Sequence, residues 1–141
     1  MSRAYIETTI GSDSTLAGLG IDDTSVFNQH DIDERPKNNS RFIVLRWEEL
    51  VLSGIATSLE RGARNLSIWV HSPKEVSTDF DAIDKILDRI DELLGAIENA
   101  AGSDGYTITT VSKAGRSADL YDEGFNTVGR SALYRVLYRR T

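Results

Sequence analysis

The chain has 141 residues, 40% of them hydrophobic, which is enough for one domain with its own core and excludes wholesale disorder. With 22 acidic against 16 basic residues the net charge is −6, the wrong sign for a nucleic-acid-binding surface. The absence of cysteine excludes disulfides, zinc–thiolate sites and thiol nucleophiles, and no apolar run is long enough to cross a membrane or form a secretion signal.

Ser2–Ile10 reads as a short helix, with Ser2 as N-cap and Tyr5, Ile6 and Ile10 on one side. Gly11, Gly18 and Gly20 argue against its continuation. Val26–Phe27 fits a short strand, and the polar run Asn28–Ser40, which contains Pro36, reads as a loop. Arg41–Trp47 (RFIVLRW) is a strand with Phe42 and Val44 on one face and Ile43, Leu45 and Trp47 on the other. Apolar residues on both faces suit a strand covered on both sides. Leu50–Gly54 continues it toward a turn, and the charged segment Ser58–Asn65 reads as an exposed connection. Leu66–His71 (LSIWVH) is a second strand, with Leu66, Ile68 and Val70 facing the core and Ser67, Trp69 and His71 opposite. Pro73, which cannot donate a ladder hydrogen bond, ends it.

Asp79–Ala100 is the clearest helical segment. At 3.6 residues per turn, Ile83, Ile86, Leu87, Ile90, Leu93, Leu94 and Ile97 share an apolar arc. Asp81, Asp84, Lys85, Asp88, Asp91 and Glu92 fall opposite, as a solvated stripe in which Asp81–Lys85 and Arg89–Glu92 are spaced to pair. Thr78 or Asp79 can cap its start and Gly102 its end. Tyr106–Val111 is a third strand. Lys113–Asn126 is a Gly-punctuated excursion that can hold a short strand at Ser117–Asp122. Thr127–Arg139 is a long last strand, with Val128, Ala132, Tyr134, Val136 and Tyr138 alternating against Ser131, Leu133, Arg135, Leu137 and Arg139. This order predicts an α+β fold: a mainly antiparallel sheet with one long amphipathic helix and a short N-terminal helix packed on it. Residues 1–40 supply the N-terminal helix and loop of a single domain, and 41–139 its sheet and long helix.

Catalytic and ligand-binding motifs are not apparent. The stretch WVHSPKEVSTDFDAID (69–84) gathers a histidine, hydroxyls and carboxylates, but each has a local role in stopping a strand or starting a helix. No nucleophile elbow accompanies His71, which reads as a solvent-exposed strand-end histidine. The HDIDE run, His30–Glu34, lacks metal-ligand spacing and reads as a solvated acidic loop. The GLG at Gly18–Gly20 lacks a nucleotide-loop context. The sequence thus points to no catalytic residue, cofactor or metal. What remains is apolar weight on both strand faces (Ile43, Leu45, Trp47, Trp69, Leu133, Leu137), more than one long helix can cover, which points to a partner subunit.

Two segments, SIWVHSPKEVSTDFDAIDKILDRIDELL and GRSADLYDEGFNTVGRSALYRVLYR, resemble siphophage tail terminator proteins, particularly those of phages of mycobacteria and related actinobacteria. The resemblance spans residues 41–139 and rests on the strand–Pro–helix unit and the closing strand. It implies an α+β subunit of a homo-oligomeric ring, a hexamer, in the virion at the head-proximal end of the tail and in the host cytoplasm during assembly. Its implied partners are the tail tube protein and a head–tail connector, with no membrane and no sequence-specific nucleic acid. It carries no catalytic residues. Other readings are a neighbouring connector protein, or a small ligand-binding or enzymatic domain using His71. The ring contact is expected in Gly115–Phe125 and on the outer face of the last strand. There Arg116, Asp119 and Asp122 offer charges, Tyr121 and Phe125 apolar anchors, and Leu133, Arg135 and Leu137 a flat surface. The alternative is a plain hairpin with Tyr121 and Phe125 folded back on their own sheet.

Overall fold

A computed structural model describes residues 3–29, 40–53, 61–75 and 77–141, with only the backbone at 49–53. Its helices are α1 (Arg3–Gly11), α2 (Ser14–Gly18) and α3 (Phe80–Gly95). Its strands are β1 (Val26–Asn28), β2 (Phe42–Ser53), β3 (Arg61–Pro73), β4 (Glu98–Ala101), β5 (Tyr106–Arg116), β6 (Leu120–Asp122) and β7 (Thr127–Arg140). All seven join one sheet in the order β1-β2-β3-β7-β5-β4, with β6 also on β7. Among the described strands only the β1–β2 pair is parallel. This is the predicted α+β class with a mainly antiparallel sheet.

The helices pack on one face. Along α3 the apolar spacing buries Ile83, Ile86, Leu87, Ile90 and Leu94 against β3, β5 and β7. The facing sheet residues are Leu66, Ile68 and Val70 of β3 and Val128, Ala132, Tyr134 and Val136 of β7, joined by Ile43 and Leu45 of β2. Ile6 and Ile10 of α1, Leu16 of α2 and Ile21 extend the same core. Asp79 starts α3 by accepting a hydrogen bond from the Asp81 N–H at 3.0 Å, which satisfies one of the free donors of the first turn. Asp13 does the same for α2 with the Leu16 N–H, also at 3.0 Å. Between β3 and β7 the backbones meet closely at Gly129, where a Cβ would lie 2.7 Å from the Val70 carbonyl oxygen. Only glycine fits there without moving a strand.

Several boundaries differ from the sequence-based expectation. The long helix ends at Gly95 rather than at Ala100. Ile97 continues the apolar spacing and is buried, but the chain has already turned, and Glu98–Ala101 pair with β5 as an edge strand through Asn99 at φ 48°. Gly102 therefore caps no helix. Arg61–Asn65 is not an exposed connection. It is the start of β3, paired to β2 on one side and β7 on the other, with Gly62 and Ala63 buried. The third strand runs on to Arg116, and the short strand of the excursion covers only Leu120–Asp122. The five-residue α2 and the pairing of Asn28 in β1 were not foreseen. Ser2 and His30–Glu34 lie outside the described residues.

Candidate interaction surface

The two faces of the sheet differ in what covers them. On the helix side the acids of α3 turn down onto the strands more than a solvated stripe would. Asp84 accepts from Arg130 at 2.8 Å, and Asp88 and Asp91 share Arg116 at 2.6 and 2.7 Å. Asp91 also accepts the Tyr134 hydroxyl, and burial followed by that contact raises the phenol's pKa. The predicted Arg89–Glu92 pair forms at 2.8 Å. Arg89 also grips both oxygens of Asp13, at 2.8 and 3.0 Å, fastening the N-terminal helices to α3 and holding the Asp13 carboxyl below its usual range.

No described helix lies on the opposite face. Register places Phe42, Val44 and Arg46 of β2 there, with Arg61, Ala63, Ser67, Trp69 and His71 of β3 and Ser131, Leu133, Arg135, Leu137 and Arg139 of β7. Hollows among the described residues mark it. The first, about 360 Å³, is lined by Gln29, Val44, Arg46, Trp69, His71, Asp122 and Phe125. Its floor is an aromatic pack in which His71 stacks on Phe42 at 4.8 Å and meets the edge of Phe125 at 5.4 Å. His71 Nδ1 lies 2.8 Å from the hydroxyl of Thr127. The expectation of a solvent-exposed histidine is therefore wrong. His71 is only 4% exposed, because Phe125 folds back from the β6–β7 turn onto it. Burial, slightly opposed by Asp122, lowers its pKa to about 4, so the ring is neutral at pH 7. Thr127 is fully buried, so this pair offers no hydroxyl to a substrate.

The second hollow, about 390 Å³, is lined by Arg61, Gly62, Ala63, Thr109, Arg135, Leu137, Tyr138 and Arg139. Arg61, Arg135 and Arg139 are exposed, and no carboxylate is among its described lining residues. Arg61 and Arg139 are direct register partners across β3 and β7. Like charges set opposite each other in a sheet are destabilising unless an anion lies between them.

The predicted contact residues divide between the faces. Leu133, Arg135 and Leu137 share the uncovered face, with Leu133 and Leu137 half-buried. Asp122 and Phe125 line its aromatic hollow. Arg116 is held within its own chain by Asp88 and Asp91. Tyr121, 48% exposed and paired in register with Val128, belongs to the helix side, under the ammonium of Lys74 at 4.7 Å. Asp119 is exposed in the link between β5 and β6. Trp69, expected from sequence to need a partner's cover, is half-buried on this face. Arg46, Arg61 and Arg139 share it, and the period-two alternation of the last strand carries that signal for Arg139. Among the described residues no group of three or more His, Asp or Glu is placed to hold a metal ion, and no helix is long and apolar enough to cross a membrane.

Among the described residues, these features define an α+β domain with one helix-covered and one uncovered sheet face. No family model and no curated protein matches the chain. Among solved structures, a chain from the virion of a native gene transfer agent particle is similar in fold, with a TM-score of 0.71 at 13% identity. The similarity covers 98% of this chain and 95% of that one.

Proposed function

We propose that this protein is a structural component of a phage-like virion, and specifically a tail terminator. In this reading it forms a ring on the head-proximal end of the tail tube, ends tube polymerisation and presents the surface for head–tail joining. The observation that carries it is the end-to-end likeness in fold to a virion chain, with almost nothing left over on either side. The tail-terminator resemblance of residues 41–139 supplies the finer role. The uncovered face supports it physically, since it sets half-buried Trp69, Leu133 and Leu137 beside exposed arginines, a composition suited to a protein contact. The ring is a hexamer and its work is binding, not catalysis; its partners are further copies, the tail tube protein and a head–tail connector.

The test is to add the purified chain to polymerising tail tube protein and measure tube lengths and end density by negative-stain electron microscopy. Shorter tubes with a ring of density at one end are expected. Tubes of unchanged length with bare ends would refute the terminator role, and binding to the connector alone would assign the protein to the connector instead.

A further inference from the structure

We propose that the arginine-rimmed hollow of one copy seats the outward stripe of α3 from a second copy, joining subunits head to tail. This rests on the ring reading above and names the two surfaces that make the ring. The receiving surface is the hollow rimmed by Arg61, Arg135 and Arg139 with Leu137 in its wall. Arg61 and Arg139 stand opposite each other in the register with no carboxylate among the described lining residues, a like-charge pair that an incoming anion would relieve.

The matching surface lies on the same chain. Asp81, Lys85, Asp88 and Glu92 follow one another along α3 at spacings that place them on one outward line, three acids to one lysine. Asp88 and Glu92 keep 66% and 67% of their side chains exposed. Each meets its own subunit's arginine through a single oxygen, Asp88 Oδ1 to Arg116 and Glu92 Oε2 to Arg89, so each has a second oxygen not committed to that pair. A carboxylate can accept from two guanidinium groups at once, so the in-chain pairs need not break.

Geometry then fixes the kind of assembly. The helix stripe and the hollow lie on opposite sides of one sheet, so joining them uses two different surfaces of the subunit. Such a heterologous contact repeats in one direction and closes into a ring or continues as a filament, whereas a two-fold dimer would have to press like against like. In a chain of net charge −6, the basic face also steers neighbours into this orientation.

The test is a charge swap read by size-exclusion chromatography with light scattering. Circular-dichroism melts confirm that each variant is folded. One variant carries Arg135→Glu with Arg139→Glu, the other Asp88→Lys with Glu92→Lys. Each alone is expected to elute as a folded monomer at concentrations where the unaltered chain is a ring. Mixed in equal amounts, they are expected to recover the ring, because every contact in an alternating ring is again between opposite charges. The milder pair Arg135→Gln with Arg139→Gln is expected to raise the concentration for half-assembly about tenfold. Variants that assemble normally alone, or folded monomers that fail to reassemble when mixed, overturn the proposal and leave the ring reading standing. An unaltered chain that stays monomeric and leaves tail tubes uncapped overturns both.

Discussion

The helix-covered and uncovered faces belong to the same strands, yet they are stabilised by different means. The covered face holds the aliphatic core and a set of ion pairs between α3 and β5–β7. The uncovered face holds an aromatic pack around His71 at one end and a hollow rimmed by exposed arginines at the other. One face holds the domain together, and the other leaves apolar and cationic surface uncovered by the described helices. The difference shows that in a small sheet protein the fold can be complete on one side while its surface is not.

The largest effect that would break this comparison is expected on the covered face. Ile90→Asp puts a carboxylate among Ile83, Ile86, Leu87 and Leu94, at a cost of several kcal/mol, comparable to the whole stability of a domain. No cooperative melt should remain by circular dichroism; a melting temperature near that of the parent would refute the facial assignment.

Next in size is the pH dependence of the uncovered face. The folded pKa of His71, about 4, lies below its ordinary 6.5, so between these values the unfolded chain binds more protons. His71 then contributes fully above pH 6.5, and its contribution falls as the pH drops toward 4, by on the order of 2–3 kcal/mol in all. Melts at pH 7.5 and 4.5 should show a smaller acid loss for His71→Gln, which keeps a hydrogen-bonding group toward Thr127, than for the parent. Equal losses would mean that the ring titrates as if in water.

Smaller again is Arg116→Ala, which leaves Asp91, with only 14% of its side chain exposed, short of a partner. A loss of about 1.5 kcal/mol is expected in urea unfolding, from a charged hydrogen bond removed in a partly buried place. Smallest is Leu137→Ser on the uncovered face, with about 0.5 kcal/mol expected in the same experiment for a half-buried side chain. A loss from Leu137→Ser as large as that from Arg116→Ala would mean that the uncovered face is part of the core after all.

Periodicity carried much of this fold. The apolar arc of α3, its Asp79 cap and the facing of Leu66, Ile68, Val70 and the β7 residues follow from spacings of 3.6 and 2, which are local properties. What escaped was set by pairing between distant segments. Arg61–Asn65 looks polar and exposed until β2 and β7 close on it. The helix was drawn too long because Ile97 keeps its rhythm, while β5, much later in the chain, claims the residues after it as a strand. His71 was placed on the correct face by alternation, but its burial depends on Phe125, which comes from a turn between two other strands. The same applies to Arg116. Its charge was visible in the sequence, but its partners lie on a helix some twenty-five residues earlier.

The position of β7 also shapes how the chain folds. It lies between β3 and β5, yet residues 74–126 separate it in sequence from the end of β3. During synthesis β2 and β3 can pair as a hairpin early, but one edge of β3 stays unpaired over thirteen residues until β7 arrives. Closing so long a loop before its contacts form makes folding slow, and an open strand edge is a template for pairing with another chain. Refolding yield should therefore fall steeply with protein concentration. The step that ends that exposure also completes the cationic hollow, since β7 supplies Arg135, Leu137 and Arg139. A nascent chain thus has no finished hollow on this face until its own central strand is in place.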